Sequence, residues 1–478
     1  MTGLILLSIS ELDDIDTTKP ANTIWDAVTS SMKRTALNVV GINQKQHKFH
    51  NNEIFSLSEN QKALRLRIQN SKNPEDIRDL RKLSNLTLLN IKKIQKTLVY
   101  KETEEQLQNI VKQKDGTRMF MAMRLLMKKQ RQNSITVWDT TGAIIINNKS
   151  KGDAISRFYY KMLNWEDESG YKPYPHTAGA LSCPINTCEI LDAIKKLKIG
   201  RSARPDNIPP ELVKYAPVKL AEIIAYILNK GFEQNNQLDF GKGWLIPLQK
   251  PGKQKGPLLN LRPIIILTTL RKTLSLVALE RIRIKVENYL SLGQSGFRTG
   301  RSTADVIWTH RWTAALCQKY KRCTEILGID MSRAFDSIHR TKLVDVLSSF
   351  LNQDDVRIII KLLQGTQLAT ELGKTESNYF YTSRAIPQGD LLSPVLFIVY
   401  LEAALRDFRP FVDNSKYNEI IYADDVNFVS EDAETFQYII EILPHIFSKW
   451  FLKVNHNKTE YTKIVRAERT HDEPWRKH

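Results

Sequence analysis

The chain has 478 residues, of which 42% are hydrophobic and 26% are charged. This composition supplies enough apolar material for a folded core, and it excludes a wholly disordered chain or a small disulfide-stapled protein. Lys and Arg together number 70 against 52 acidic residues, which gives a net charge of +18. A positive excess of this size attracts polyanions, so nucleic acid is the first partner to consider. The length predicts about three domains.

The N-terminus and the apolar stretches give no sign of secretion or membrane insertion. The first residues lack a basic segment before their apolar run, and no later apolar stretch is long enough to cross a bilayer. The four cysteines are few and lack the paired spacing of a zinc ribbon. We therefore expect an intracellular protein of the nucleus or cytoplasm, without a membrane partner.

The first 150 residues are predicted to be mostly helical and polar. Apolar positions recur at helical spacing over Lys62–Leu89. Over Arg118–Arg131, Met and Leu residues alternate with Lys and Arg, which is compatible with a helix on a nucleic-acid backbone or with an ordinary solvated helix. After a linker-like stretch at 172–184, strands and helices alternate without a repeating unit, which indicates an α+β fold.

Paired aspartates occur three times, and only one pair stands in a context that favours chemistry. Asp13-Asp14 lies in a polar run, and Asp354-Asp355 follows Asn352 in the predicted first turn of a helix, where the helix dipole accounts for it. Asp424-Asp425 separates two β-forming runs, which predicts a hairpin with both acids at its two-residue tip. Two repelling carboxylates are a poor structural choice for a tip, and a divalent cation would relieve the repulsion.

A second carboxylate follows another predicted strand. The apolar run that begins at Glu325 ends in Asp330, and the chain then turns toward a helix predicted to begin near Thr341. An acid that caps the next helix is the simple structural alternative. Two strands that deliver carboxylates to one place form the minimal arrangement for two cations roughly 4 Å apart, which is the arrangement used in phosphoryl transfer.

Between these sites, Pro387-Gln-Gly precedes a strongly apolar predicted helix. Ser393 is predicted as its N-cap and Pro394 as a residue of its first turn. Gly389 is expected where the backbone bends or closely approaches another group. By itself this segment favours an ordinary turn before a helix.

Taken in order, these segments resemble the reverse transcriptase of retrotransposons that lack long terminal repeats. The resemblance covers about residues 185–465. It includes segments similar to the family's N-terminal extension, its fingers motifs, its first catalytic motif, its template- and nucleotide-positioning motif, its catalytic hairpin and the segment after it. In this sequence they are Lys198 to Glu211, Asn260-Leu-Arg-Pro-Ile, Gln294-Ser-Gly-Phe-Arg, Leu327 to Asp336, Pro387-Gln-Gly-Asp-Leu-Leu-Ser-Pro, Tyr422-Ala-Asp-Asp and Trp450 to Glu460.

The resemblance implies a role for each matching residue. The metal-binding acids would be Asp330, Asp424 and Asp425, with two Mg²⁺ ions, or Mn²⁺, as cofactors. Phe335 would exclude a 2′-hydroxyl, with a core position on a helix face as the simple alternative. Lys458 would protonate the leaving pyrophosphate, although an exposed lysine after a strand is the simple alternative. The residues implied to contact the triphosphate, the nucleotide or the template are Arg262, Lys250 (for which a solvated loop is equally compatible), Pro387, Gln388, Gly389 and Tyr422.

The implied fold is α+β, with right-hand polymerase fingers and a palm whose antiparallel sheet packs on helices, after a mostly helical N-terminal region. The expected divisions are an N-terminal extension at 1–170, fingers at 171–300, palm at 301–465 and a polar tail at 466–478, with the thumb absent. The predicted partners are an RNA template, a DNA primer and deoxynucleoside triphosphates.

Two features depart from the family pattern and leave alternatives open. Ala385 and Arg204 stand where relatives more often have glycine. Group II intron proteins also carry a Tyr-Ala-Asp-Asp turn. The predicted function is an RNA-directed DNA polymerase, and the alternatives are a catalytically silent nucleic-acid-binding relic and an intron-type maturase.

Overall fold

The computed structural model describes residues 16, 18–39, 52–70, 73–113, 135–139, 141–164, 179–199, 205, 208–216, 218–234, 243–364, 366–373 and 375–464. The chain forms two compact units, one of Met1–Val39 with Ile135–His478 and the other of Val40–Ser134. The predicted basic helix at Arg118–Arg131, the departure at Arg204 and the predicted tail at 466–478 lie outside the described residues.

The smaller unit contains a helical hairpin of α2 (Asn52–Asn70) and α3 (Pro74–Gln113). The helical pattern of Lys62–Leu89 is therefore divided between two helices. The division falls before Pro74, because proline lacks an amide hydrogen for an upstream helix but suits a first turn. Buried Ile54, Leu64 and Ile91 line the hairpin.

The larger unit contains a mixed sheet, here called the fingers sheet, in the order β2–β1–β4–β5, with β6 also paired to β4; β4, β5 and β6 come from the stretch that the sequence analysis placed in the palm. Strands β1 and β2 are antiparallel, and β1 and β4 are parallel. A helix from upstream, α4, packs on β4, where the Ser156 hydroxyl lies 2.7 Å from that of Thr370. These elements are α4 (Asn148–Leu163), β1 (Gly243–Gln249), β2 (Leu261–Ile266), β4 (Gln367–Leu372), β5 (Thr375–Glu376) and β6 (Phe380–Tyr381).

The palm is an antiparallel sheet in the order β7–β8–β3–β9. Phe428 of the sheet and Phe408 of the helix α12 are fully buried, and their ring centroids lie 5.6 Å apart. The palm elements are β3 (Thr324–Ile329), α12 (Ser393–Phe408), β7 (Tyr417–Tyr422), β8 (Asp425–Ser430), α13 (Ala433–Lys449) and β9 (Glu460–Ile464).

Local capping sequences fix where several of the remaining helices begin. Asn186 and Glu189 form a reciprocal capping box, and so do Ser302 and Asp305. These helices are α1 (Ala21–Val39), α5 (Thr187–Lys195), α6 (Pro210–Lys214), α7 (Val218–Glu233), α8 (Thr269–Tyr289), α9 (Thr303–Tyr320), α10 (Arg340–Ser348) and α11 (Gln353–Leu363).

The predicted α+β fold class is confirmed, with an antiparallel palm sheet packed on helices and a mostly helical N-terminal region. The limits at 170, 300 and 465 stay predictions. Among the described residues, no helix combines the length and apolar character that crossing a membrane requires.

The helix α12 begins at Ser393, but Ser393 is not its N-cap as the sequence predicted. Leu392 occupies that position without a side-chain cap, and Pro394 lies in the first turn as expected. The Asp390 carboxylate instead accepts a hydrogen bond from the Leu392 amide, at 3.3 Å. This hydrogen bond holds the turn before the helix, but it serves the amide of the N-cap residue itself and does not cap the amides of the first helical turn.

Two buried tyrosines differ in whether their hydroxyl groups have partners. Tyr159 on α4 is 1% exposed, and its hydroxyl has no hydrogen-bond partner among the described residues. Tyr400 on α12 is also buried, and its hydroxyl donates to the Trp450 carbonyl at 2.6 Å. A buried hydroxyl costs stability when unpaired and contributes to it when paired.

We expect Tyr159→Phe to raise the free energy of unfolding by about 1 kcal/mol and Tyr400→Phe to lower it by about 1 kcal/mol. Denaturant titration of the two variants measures both changes. A loss of stability in Tyr159→Phe as large as that in Tyr400→Phe would show that the Tyr159 hydroxyl stabilises the fold and is not an unpaired group.

Candidate active site

The β7–β8 hairpin presents the predicted acid pair, but its tip is one residue earlier than the sequence indicated. Tyr422 pairs with Asp425, so the two turn residues are Ala423 and Asp424. The preceding pair, Ile421 and Val426, is fully buried and fixes the register. Asp425 is therefore the first residue of β8 and not a tip residue.

A segment before α9 holds this tip in place. The Gln294 side-chain oxygen accepts hydrogen bonds from the Ala423 amide at 3.0 Å and the Gly296 amide at 2.7 Å. Ser295 and Gly293 bond to the backbone of Ile421. The sequence placed this segment among the fingers motifs, whereas the structure pairs it with the palm hairpin. Ala423 adopts a left-handed backbone with φ of 57° under this clamp.

Strand pairing brings the third acid to the same end of the sheet. In the antiparallel pairing of β3 with β8, Ile329 lies opposite Val426. Asp330 and Asp425 are the next residues outward on the two strands, where facing Cα atoms are about 5 Å apart. Partial burial and the neighbouring Asp424 and Asp330 carboxylates raise the pKa of Asp425 above its ordinary value.

The Asp330 carboxylate is also held by the segment after α13. It accepts a hydrogen bond from the Asn455 side-chain amide at 2.7 Å, and the Lys458 ammonium lies 3.2 Å from it. The sequence singled out Lys458 but missed Asn455. The available signal was the three-residue spacing between them in the segment that resembles the family.

The donor chemistry of the three acids suits a hard cation, because carboxylate oxygens are preferred Mg²⁺ ligands. Burial, followed by the charges of Asp424 and Asp330, raises the pKa of Asp425, and a nearby cation would favour its ionised form. Within the described residues, however, no three acidic, histidine or cysteine side chains converge as a ready metal site. Lys458 provides the positive charge beside Asp330 in this structure, so metal binding by the acids stays a prediction.

A cavity of about 610 Å³ joins the acids to the fingers. Lys250, Arg262 and Arg333 all line it, and burial, followed by the charges of the two arginines, lowers the pKa of Lys250. Seven of the predicted site residues line the cavity: Lys250, Arg262, Asp330, Phe335, Gln388, Asp424 and Lys458.

Four predicted site residues, Asp425, Pro387, Gly389 and Tyr422, are not among those that line the cavity. Pro387 is buried, and Gly389 adopts φ of 127°. A Cβ atom at Gly389 would lie 2.2 Å from the Ile265 carbonyl oxygen, so only glycine allows this approach to β2. Tyr422 is half-buried beside Asp425. Ala385, which the sequence analysis noted as a departure from the family pattern, adopts φ of 64°.

Phe335 combines a packing contact with a position in the cavity. Its ring stacks on that of Phe397 in α12, with centroids 4.6 Å apart, and it remains half-buried. Two residues that the sequence did not single out lie beside it: Asp336 bonds to Gln388, and Tyr159 lines the same cavity. Tyr159 carried no signal, because it is distant in sequence from the matching motifs.

Comparison with known proteins identifies the domain that carries this site. Residues 248–472 match the family model described as reverse transcriptase (RNA-dependent DNA polymerase). These residues are a reverse transcriptase domain. The resemblance predicted from the motifs is confirmed, and so is the enzyme class of the domain, RNA-directed DNA polymerase.

Curated relatives include transposon and intron proteins. A probable RNA-directed DNA polymerase from transposon BS of Drosophila melanogaster is 27% identical over 58% of this chain and 32% of its own length. The RNA-directed DNA polymerase from mobile element jockey of Drosophila funebris is 22% identical over 58% of this chain and 31% of its own length. An uncharacterized 91 kDa protein in the cob intron of Schizosaccharomyces pombe is 27% identical over 48% of this chain and 26% of its own length. The chain thus spans about a third of the length of these relatives.

Among solved structures, a telomerase from Candida tropicalis in complex with a fragment of telomeric RNA is similar, with a TM-score of 0.37 and 13% identity. The match covers 47% of this chain and 41% of that one.

Gly296 offers a test of the clamp on the catalytic hairpin. A Cβ atom there would lie 2.3 Å from the Ala423 amide nitrogen, so Gly296→Ala must displace the tip that carries Asp424. We expect the variant to fold and to lose at least about tenfold in polymerase rate, because small misplacements of reacting groups are costly.

Gly152→Ala is the matched control, since a Cβ atom there meets only ordinary contacts of 3.7 Å or more. Circular dichroism and single-nucleotide extension rates compare the two variants. An unchanged rate in Gly296→Ala would show that the clamp does not position the hairpin.

Proposed function

We propose that this chain is an RNA-directed DNA polymerase that adds deoxynucleotides to a primer 3′-hydroxyl on an RNA template. The observation that carries the proposal is the placement of Asp330, Asp424 and Asp425 at the same end of the palm sheet, beside a cavity lined by fingers cations. A cavity lined by both carboxylates and cations suits a substrate that combines a triphosphate with divalent metal ions.

Reverse transcriptase domains generally use divalent metal ions, and we propose two Mg²⁺ ions here, with Mn²⁺ as a substitute. Asp330, Asp424 and Asp425 would hold them. When bound, such ions stabilise the attacking and leaving oxygens of phosphoryl transfer. Lys458 would then exchange its contact with Asp330 for one with the leaving pyrophosphate, to which it would give a proton.

The remaining residues would bind and orient the substrates. Arg262 and Lys250 would offset charge on the triphosphate. Pro387, Gln388 and Gly389 form the turn that would position template and nucleotide, and Tyr422 would support the nucleic acid next to the acids. An RNA template, a DNA primer and deoxynucleoside triphosphates are the proposed partners, and the excess positive charge of the chain supports the first two.

Phe335 is the proposed barrier to ribonucleotides. Its stack on Phe397 holds the ring in the cavity, so the ring has little freedom to move away from a bulkier sugar. A 2′-hydroxyl would meet this ring, which would make the product DNA.

Two other functions remain as outcomes of the tests. A catalytically silent chain would bind nucleic acid without extending a primer. An intron-type maturase is the second alternative, and the similarity to the Schizosaccharomyces pombe cob intron protein is the observation in its favour.

Primer extension on an RNA template with Mg²⁺ tests the proposal. We expect the unmodified chain to extend the primer, and we expect Asp424→Ala to lose roughly a thousandfold in rate, because a metal ligand contributes several kcal/mol to the transition state. Asp192→Ala, which removes an exposed acid on α5, is the control and should retain the rate.

Retained RNA binding without extension by the unmodified chain would favour the silent chain. Assistance of intron splicing without extension would favour the maturase.

Phe335→Val should raise the ratio of ribonucleotide to deoxynucleotide incorporation by about tenfold or more, because it removes the ring that meets the 2′-hydroxyl. Single-nucleotide kinetics with matched ribo- and deoxynucleotides measure the ratio. Phe411→Val, at an exposed position, is the control. Equal ratios in the two variants would assign Phe335 a packing role only.

A further inference from the structure

A buried carboxylate lies directly beneath the nucleotide-positioning turn. Asp336 follows Phe335 in the chain and is 7% exposed. The Gln388 side-chain nitrogen donates to the Asp336 carboxylate at 2.9 Å. The Gln388 carbonyl oxygen accepts from the Ile265 amide at 2.7 Å. Both the backbone and the side chain of Gln388 are therefore fixed.

The chemistry of this bond decides which atom Gln388 can offer to a substrate. An ionised carboxylate only accepts hydrogen bonds, so it selects the amide NH₂ of glutamine. The side-chain oxygen of Gln388 then remains for the cavity as an acceptor. A protonated Asp336 could instead donate to that oxygen, which would allow the amide to reverse and present its NH₂ group.

Charged groups from several elements act on Asp336. Burial has the largest effect and disfavours the ionised form of Asp336. Three nearby cations favour that form: Arg333 of the same turn, Lys250 at the end of β1 and Arg384 before the positioning turn. The balance raises the pKa of Asp336 to about 6. On α4, burial and the charge of Asp336 raise the pKa of Tyr159, without a hydrogen bond between the two side chains. Near neutral pH the carboxylate is mostly ionised, and protonation falls within an accessible pH range.

We propose that Asp336 is a positioning residue that sets the hydrogen-bonding polarity of Gln388, so that Gln388 presents an acceptor to a donor group of the incoming nucleotide. This inference rests on the proposed polymerase function, and it adds a residue with no part in the metal-binding set. Asp336 acts through Gln388 and does not touch the reacting atoms.

Nucleotide binding should then depend on pH with a defined sign. Above about pH 6 the ionised carboxylate holds the Gln388 amide in one orientation. As the pH falls through about 6, protonation removes that constraint, and the KM for the nucleotide should rise. The rate at saturating nucleotide should change less, because the reacting groups are elsewhere.

Asp336→Asn in the full chain tests the inference through steady-state extension kinetics. An asparagine can accept or donate, so it does not select one orientation of Gln388. We expect the KM for the nucleotide to rise about fivefold near neutral pH, as for the loss of one hydrogen bond, and its dependence on pH near 6 to disappear.

Asp354→Asn is the matched control, because Asp354 is an equally buried acid on α11 that accepts from the Cys183 amide and does not line the cavity. It should keep the KM and its pH profile. In a Gln388→Met background, Asp336→Asn should give no further rise in KM. A KM and pH profile in Asp336→Asn that match the unmodified chain would overturn the inference, as would an equal effect in the Gln388→Met background.

A spectroscopic measurement separates this inference from the polymerase function. The side-chain amide ¹⁵N signal of Gln388, identified by its loss in Gln388→Met, should shift with a midpoint near pH 6 and should lose that shift in Asp336→Asn. Absence of the shift overturns the inference whether or not the chain is active. Absence of primer extension by the unmodified chain, with the shift present, overturns the polymerase function alone.

Discussion

The antiparallel register between β3 and β8 is the constraint on which the active site depends. Ile329 faces Val426 in this ladder, and both are buried in the palm core. Side chains alternate between the two faces of a strand, so a slip of one residue would expose these core residues and separate Asp330 from Asp425. The apolar packing of the palm therefore maintains a cluster of carboxylates that repel one another.

A second set of contacts joins the fingers to the palm. Gly389 approaches the Ile265 carbonyl so closely that no other residue fits, and the Gln388 backbone bonds to the Ile265 amide. Beneath this turn, Arg271 on α8 and Asp390 form a buried ion pair at 3.5 Å. Backbone and side-chain contacts thus hold the fingers against the palm, and the cations of the one and the acids of the other line the same cavity.

Much of this site could be predicted from the sequence, because its parts are encoded locally. The β-forming runs on both sides of Asp424 and the apolar strand before Asp330 predicted two strands that end in acids, and the structure has them. The resemblance implied that Gln388, Lys250 and Arg262 serve the same site as the acids, and all three line the cavity together with Asp330 and Asp424.

The errors arise where a distant segment decides the local structure. The hairpin tip lies at Ala423 and Asp424 because the buried pairing and the Gln294 clamp fix it, and neither is visible in the hairpin sequence. Ser393 looked like a cap, but the turn before the helix places Leu392 at the N-cap position, and no side chain caps the first turn. Tyr159 reaches the site only through tertiary packing, so no local pattern marks it, whereas Asn455 lies three residues before Lys458 in the segment that resembles the family.

The central claim is that Asp330, Asp424 and Asp425 share bound divalent cations, and Mn²⁺ binding followed by electron paramagnetic resonance tests it most directly. With template, primer and a chain-terminating nucleotide present, the unmodified chain should bind about two Mn²⁺ ions, and Asp330→Asn and Asp425→Asn should each lower that number or its affinity. Equal Mn²⁺ binding by all three proteins would contradict a shared cation site at these acids.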